Sequence, residues 1–430
     1  MTAPHPPFPS SARGHAMDRL CRPFVLQCIT CGTRYAPYQV EYFCPHCRTD
    51  GALDTLYDYD SVRRECDRDR LATQAGLGMW RYRALLPLDS ERYVPRLLVG
   101  STPLYERPGL LETDSGMRVW VKDESRQPTG SLKDRASALA VALALESGAS
   151  TVAVASTGNA ASALAGMSAE RGLRNVIFIP RTTPREKLAQ MIGYGAEVIL
   201  VDGAYDEAFE QCRNACESNG WYNRTTGINS YMTEGKKTVA FEICEQLGWQ
   251  VPDLVFVPVG NGCILGAVHK GFQDLLKLGW IERMPRLMGV QARDSNFMYR
   301  AWSSGLPLEQ VEKRAPTSLA SSINVAFPRD RLKALRAVRD SEGEFLCVDD
   351  TAIVQAASRL AARTGIFPEA GAASSYAGLL QYAEQHPHSR ESAVLLITGS
   401  GLKDTSIYLP STHTASSAAA RQTPATAIAS

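Results

Sequence analysis

The chain has 430 residues, too long for one ordinary compact domain and long enough for two or three folding units. Its 46 Lys and Arg nearly cancel 45 Asp and Glu, and a net charge of +1 carries no sign of nucleic-acid or membrane-surface binding. Hydrophobic residues make up 44% of the chain, no apolar run approaches membrane-spanning length, and Met1 to Arg22 lacks the apolar core of a secretory leader, so a cytoplasmic protein is expected.

Residues 1–22 are rich in Pro, Ser and Arg and read as a flexible arm. Residues 23–60 contain Cys28-Ile29-Thr30-Cys31 and Cys44-Pro45-His46-Cys47, two C-x-x-C knuckles separated by a short β-type segment, Tyr35 to Tyr42. Each knuckle puts two thiolates on a tight turn, and two turns close a tetrahedron. Cys28, Cys31, Cys44 and Cys47 are therefore expected to hold zinc in a zinc-ribbon-like segment, against the plainer alternative of four stray thiols. Four Cys ligands leave no vacant position, so such a site would be structural. The other Cys are scattered and read as reduced thiols.

Asp58 to Ser90 is expected to be helical and charged. From Trp120 strands and helices alternate, which implies parallel α/β architecture. Strands are expected at Met117 to Lys122, Thr151 to Ala155, Val176 to Pro180, Glu197 to Val201, Leu254 to Pro258, Leu287 to Gln291 and Ala393 to Thr398. Helices are expected at Ala160 to Arg171, Pro184 to Tyr194, Tyr205 to Asn219, Gly235 to Leu247, from about Ile264, at Thr351 to Thr364 and at Ala372 to Glu384. Residues 410–430, rich in Ala, Ser and Thr, read as a disordered tail.

One stretch organises the chemistry: Pro128-Thr129-Gly130-Ser131-Leu132-Lys133-Asp134-Arg135. It leads into a helical run with Leu132, Ala136, Leu139 and Leu143 on one face, so Lys133 falls in a helix first turn, where anions rather than cations are favoured. A Lys there is misplaced unless it bonds covalently to a carbonyl cofactor; the plainer reading is a solvated Lys paired with Asp134. Three strand-turn-helix corners add to it, and ligands of parallel sheets gather at such carboxyl ends. Ser156-Thr157-Gly158-Asn159 offers hydrogen bonds, or merely an N-cap. Val259-Gly260-Asn261-Gly262-Cys263-Ile264 offers a phosphate cradle; its spacing to Gly266 is one residue too long for a dinucleotide fingerprint. Thr398-Gly399-Ser400-Gly401 places a hydroxyl at a strand end, or is a plain turn. Together these fit one ligand: an aldehyde for Lys133, a phosphate for the glycine loop, a phenolate for Asn159 and a ring nitrogen for Thr398, which is pyridoxal phosphate.

On these residues, with Ser101-Thr102-Pro103-Leu104, Lys187-Leu188-Ala189-Gln190, Glu234-Gly235-Lys236-Lys237-Thr238 and Gly365-Ile366-Phe367-Pro368-Glu369, the chain resembles the threonine synthases and the wider fold-type II pyridoxal-phosphate enzymes, whose fold is tryptophan synthase β-like. The resemblance runs from about Ser101 to Asp404. It implies an α/β catalytic domain over 61–409, with two open parallel-sheet lobes, the smaller at about 145–240, behind the ribbon-like segment. It implies that Lys133 is the Schiff-base and acid/base residue. Asn159 would contact the cofactor's ring oxygen, Gly260, Asn261, Gly262, Cys263 and Ile264 its phosphate, and Thr398 its pyridine nitrogen.

The departures bear on substrate. The family usually has Thr-Ser after the Gly-Asn pair, and this chain has Ala160-Ala161. Where the family shows Asn-Pro-Tyr-Arg, this chain has Asn229-Ser230-Tyr231-Met232, so a cation is missing. Ser156 and Thr157, with Lys122, Lys236, Lys237 and Arg185 as replacement cations, are the candidates for the substrate. The expected activity is that of a lyase of amino-acid biosynthesis, converting O-phospho-L-homoserine and water to L-threonine and phosphate. Threonine or serine dehydration and β-replacement on another amino acid are the alternatives, and a catalytically silent relative using its ribbon as a contact module stands further off. The partners implied are an amino-acid substrate and a second copy in a homodimer, with no nucleic acid and no membrane.

Overall fold

The computed structural model describes residues 24–409 except 38, 41, 112–115 and 184. The expected arm at 1–22 and tail at 410–430 lie outside the described residues. Among these, strands are β1 (Phe24–Cys28), β2 (Arg34–Tyr35), β3 (Leu53–Tyr57), β4 (Leu104–Glu106), β5 (Arg118–Asp123), β6 (Thr151–Ala155), β7 (Arg174–Pro180), β8 (Glu197–Val201), β9 (Tyr222–Asn223), β10 (Leu254–Pro258), β11 (Arg286–Ala292), β12 (Glu344–Val348) and β13 (Ser392–Ile397).

They form three sheets. The large one runs β12-β11-β10-β13-β5-β4, parallel except for the antiparallel edge pair β4–β5. The second runs β8-β7-β6-β9 and is parallel throughout. Central strands such as Leu254–Pro258 and Thr151–Ala155 are buried along their whole length, as parallel strands covered on both faces must be. In the small antiparallel sheet β2-β1-β3, strands β1 and β3 instead alternate buried and half-buried residues, with Phe24, Leu26 and Cys28 inward on β1 and Leu53, Thr55 and Tyr57 inward on β3.

Helix Lys133–Glu146 packs against helices Asn159–Arg171 and Tyr231–Gln246. Its Ala at 136, 138, 140, 142 and 144 are all buried, so it lacks the polar stripe of a surface helix. Backbones come close here: a Cβ on Gly235 would lie 2.3 Å from the Arg135 carbonyl oxygen. The same crossing is held by buried charge. Arg135 donates to both Glu124 and Glu242 at 2.7 Å, and Lys122 reaches Glu242 at 2.8 Å. The carboxylate of Glu242 is held well below its usual range because these cations outweigh its desolvation.

The structure departs from the sequence reading in places. Asp58 to Ser90 is not one helix. Asp58 caps a short helix, Tyr59–Glu65, and short 3-10 turns follow over Arg68–Leu85. The break has a physical cause at Gly78, which has φ +60° and on which a Cβ would sit 2.2 Å from the Val99 carbonyl. The turns let Arg81 and Tyr82 bury onto Glu245. Among the described residues between the Cys knuckles, β2 is the strand present, and the ribbon's sheet is completed by β3 beyond the second knuckle. Strands β3, β4 and β12 and helices Phe297–Ser304 and Arg331–Asp340 were not signalled by periodicity. Among the described residues no helix is long and apolar enough to cross a membrane.

Candidate active site

Lys133 is the first residue of its helix and half-buried. The turn before it is tied to the end of β13: Leu132 N–H donates to the Thr398 carbonyl at 2.9 Å, and Ser400 N–H donates to the Gly130 carbonyl at 3.0 Å. These bonds bring the Lys stretch and the Thr398 corner to one place. Asp134 does not pair with Lys133; its carboxylate turns back to accept from Thr129 N–H at 2.7 Å. Burial pushes Asp134 up to about 7. No hydrogen bond or ion pair holds the Lys133 amine among the described residues. Desolvation lowers its pKa; Cys263 and Glu369 oppose this, and the nearby Arg224 cation adds to it. A lysine that sheds its proton readily is a nucleophile for carbonyl carbon and a base for carbon acids.

Lys133 lines a cavity of about 790 Å³ together with Gly260, Asn261, Gly262, Cys263 and Ile264. Gly262 precedes helix Cys263–Lys277 with φ +85° and supplies no side-chain cap, so first-turn N–H groups remain for an anion. Space there is tight: a Cβ on Gly262 would meet Ala334 Cβ at 2.8 Å, and one on Gly260 would meet Ile323 Cα at 2.9 Å. Such a helix start could cradle a phosphate on backbone N–H groups, with Ala334 Cβ and the Ile323 backbone leaving no room for side chains on the two glycines.

Asn159, Thr398, Ser156 and Thr157 face the same cavity. Asn159 begins helix Asn159–Arg171, and its amide donates to both oxygens of Glu369, at 3.0 and 2.8 Å. Glu369 also accepts from Ser322 at 3.0 Å and lies against Gly399, where a Cβ would come within 2.6 Å. That bridge between the two lobes was not foreseen as part of the site. Its signal was present: Glu369 immediately precedes a long apolar helix, Ala370–Gln385, at the carboxyl ends of the strands. The set fits pyridoxal phosphate: an uncapped helix start for phosphate, an unpaired amine for an aldehyde, an amide and a hydroxyl for ring polar atoms.

The proposed replacement cations separate. Lys122 is fully buried on Glu242, Gln246 and the Thr102 carbonyl, and Lys237 on Glu234 and Asp274; neither lines the cavity. Their assignment to substrate is corrected: both are already neutralised. Arg185 is exposed and outside the cavity lining. Lys236 is 1% exposed, without an ion pair among the described residues, and lies within electrostatic reach of Lys133 and Cys263. Arg224, overlooked in the sequence, lies in the same neighbourhood. It follows β9, whose two residues leave too short a strand signal to mark the corner.

The Cys array forms a second centre. The sulfurs of Cys28, Cys31, Cys44 and Cys47 all lie within 4.8 Å of one another. Tetrahedral thiolate ligation at about 2.3 Å puts sulfurs at about such spacing. Tyr35 Oη lies 3.1 Å from Cys44 Sγ, and Thr30 N–H donates to Cys28 Sγ at 3.4 Å, so the thiols also have an outer ring of polar contacts.

Comparison with known proteins places this geometry in a group. The family model for "Pyridoxal-phosphate dependent enzyme" matches residues 95–399. The chain is 37% identical over 381 residues to a threonine synthase of Methanocaldococcus jannaschii, covering 88% of this chain and 92% of that one. It is 38% identical over 381 residues to a threonine synthase of Methanosarcina acetivorans, with the same coverage of 88% and 92%. Among solved structures, maize serine racemase superposes with a TM-score of 0.60 at 21% identity, covering 79% of this chain and 93% of that one. A threonine deaminase of Solanum lycopersicum gives 0.58 at 22% identity, covering 70% and 79%. These structural likenesses are evidence of a shared fold.

Proposed function

The chain belongs to the pyridoxal-phosphate dependent enzymes, and from that premise we propose that it is a threonine synthase, converting O-phospho-L-homoserine and water to L-threonine and phosphate. The observation that carries the reading is the level of likeness: relatives with that activity share 37% and 38% identity over nearly the whole chain, whereas the deaminase and racemase share 22% and 21%.

Pyridoxal phosphate, when bound, supplies an aldehyde for the substrate's amino group and a ring that delocalises the electron pair left at Cα. Lys133 would hold its aldehyde, Gly260 through Ile264 its phosphate, Asn159 its ring oxygen and Thr398 its ring nitrogen. The neutral Lys133 amine, free of the cofactor once substrate is bound, would take the proton from Cα and then one from Cβ. With phosphate gone from Cγ, a proton would be returned to Cγ to make the methyl group, water would add its oxygen at Cβ and give up a proton to the departing phosphate, and Lys133 would return the proton to Cα. A hydroxyl at Thr398 cannot protonate the ring nitrogen as a carboxylate would, which suits elimination and replacement chemistry. Ser156 and Thr157, both in the cavity lining, are read as hydrogen-bond partners of the substrate. Cys28, Cys31, Cys44 and Cys47 are read as ligands of a structural zinc ion, and a cytoplasmic homodimer accompanies the reading.

Incubation with O-phosphohomoserine and, separately, with L-threonine tests the assignment. Inorganic phosphate and threonine in equal amounts are expected from the first, and no ammonia from the second. Ammonia and a 2-oxo acid from threonine, with no phosphate released from phosphohomoserine, would make the protein a dehydratase. The hydroxyl-free Ala160 in the cavity wall is the feature that favours that second reading.

A further inference from the structure

A carboxylate buried without a cation is costly, because neutral donors offset its desolvation only in part. Seven Asp and Glu residues are buried among the described residues. Four touch a cation: Glu124 and Glu242 on Arg135, Glu234 and Asp274 on Lys237. Asp123 caps the turn Glu124–Arg126, and Asp134 is taken up by Thr129. Glu369, 6% exposed, forms no ion pair among the described residues, and it is the member of the seven that lines the cavity.

The surroundings of Glu369 accommodate its charge and fix its direction. It precedes helix Ala370–Gln385 at the N-cap position, yet its side chain caps nothing there. The helix start thus favours the negative charge and leaves its oxygens to other donors. Ser322 Oγ donates to one oxygen at 3.0 Å. Gly399, the residue after Thr398, makes room, since a Cβ there would lie 2.6 Å from the carboxyl carbon. The remaining contact is with Asn159, whose Nδ2 donates to the two oxygens at 3.0 and 2.8 Å. A carboxylate ion only accepts, whereas an amide can present either its oxygen or its nitrogen. Glu369 therefore decides which way the Asn159 amide is turned. Two oxygens of one carboxylate lie too close together to take both N–H bonds of one nitrogen along their axes, so the second N–H remains for another acceptor.

We propose that Glu369 is a positioning residue that acts through Asn159, locking its amide so that an N–H rather than the amide oxygen is offered to the ring oxygen of pyridoxal phosphate. A ring oxygen carrying negative charge is stabilised by an N–H and repelled by a carbonyl oxygen. The inference rests on the reading of Asn159 as the partner of that oxygen, and goes beyond it by naming the group that fixes the donor.

The test titrates the apoprotein with pyridoxal phosphate and with 3-deoxypyridoxal phosphate, which lacks the ring hydroxyl. The preference for the first ligand is expected to fall roughly fivefold or more in Glu369→Gln, which keeps the shape but can donate to the amide oxygen and let Asn159 turn over. Asn159→Ala is expected to lose at least as much, and Glu369→Gln to add nothing in that background, because one residue acts through the other. A carboxylate that only stabilised the fold would lower the unfolding temperature and leave the preference alone. Should the Gln variant not fold, Glu369→Asp, which keeps the charge but draws it back from the amide, is expected to show the same loss. A preference unchanged within twofold in the folded Glu369 variants, or an equal effect of Glu369→Gln with and without Asn159, would overturn the proposal while the reading of Asn159 stands. A preference unchanged in Asn159→Ala would refute that reading and the proposal with it. None of these titrations needs turnover, so the outcome is independent of which reaction the enzyme runs.

Discussion

At Lys133 the decisive property is the amine's freedom from acid partners. Asp134 is its neighbour in sequence but is spent on Thr129, and burial then favours the neutral amine. Charge alone therefore cannot replace it. Lys133→Arg keeps a cation, but a guanidinium stays protonated and cannot take a proton from carbon. Turnover is expected to fall on the order of 10³-fold or more, with the thermal unfolding midpoint little changed; initial-rate assays and calorimetry check this. A second expectation concerns pH. The groups facing Lys236 are Lys133, Arg224, Cys263 and Asp330, and desolvation with the two cations puts it at about 8 in the free protein. Its ordinary value is 10.5, so the native state binds fewer protons than the unfolded one between about 8 and 10.5. Below 8 the ammonium is present; above 8 it is lost. Stability is therefore expected to rise with pH between about 8 and 10.5, and Lys236→Met to lack that rise, as read by urea unfolding at a series of pH values. The residues legible in the sequence, Lys133, Asn159, Gly260 and Thr398, each stand on a strand-turn-helix corner. Lys122 and Lys237 were misread because proximity to a motif does not say where a side chain points. Lys122 is taken up by Glu242, 120 residues on, and Lys237 by Glu234 in its own motif together with Asp274, 37 residues on.

Among the elements, helix Cys263–Lys277 carries the most demanding start. Gly262 combines φ +85° with contact distances a methyl group cannot meet, 2.8 Å to Ala334 Cβ and 3.0 Å to the Asp330 carbonyl. Gly262→Ala must therefore either strain the backbone or push helix Arg331–Asp340 away, and both spoil the cradle. It is expected to cost about 2 kcal/mol of stability and to weaken pyridoxal phosphate binding at least tenfold, measured by urea unfolding and spectrophotometric titration. Parallel strands were legible because full burial leaves unbroken apolar runs such as Leu254–Pro258, and helices because an apolar face or a terminal Gly marks them. Helix Arg331–Asp340 was not: its sequence RLKALRAVRD is half charged, and its buried face includes Lys333, which reaches the Leu53 carbonyl at 2.8 Å. A lysine serving as an interior contact hides the amphipathic pattern. β3, with Asp54 and Thr55 between leucines, is hidden for the same reason.

Across the whole molecule, that helix joins the two centres that the sequence presented as separate. The second Cys knuckle ends at Cys47 and runs into the turn Arg48–Asp50. Asp50 pairs with Arg331, and Asp54 with Lys333 at 2.8 Å. Immediately before Arg331, Asp330 N–H donates to the Asn261 carbonyl at 2.9 Å and Arg329 N–H to Asn261 Oδ1 at 3.2 Å. Two pairs of contacts therefore link the Cys array to the phosphate cradle. β3 adds a further tie, since Tyr57 Oη donates to Glu234 at 2.7 Å, two residues from Lys236. The ribbon is thus a brace for the cavity rather than an appendage. A bound metal ion would fix the turn that carries Asp50, because four short ligand bonds leave a knuckle no slack. Chelation, or Cys28→Ser, is expected to remove the metal, lower the unfolding temperature and weaken pyridoxal phosphate binding about tenfold. Arg331→Met should reproduce the weakened binding while keeping the metal, because it cuts the link and leaves the thiols intact. Metal analysis paired with cofactor titration decides the matter: protein freed of metal that binds pyridoxal phosphate as tightly as before would show that the brace carries no load to the cradle.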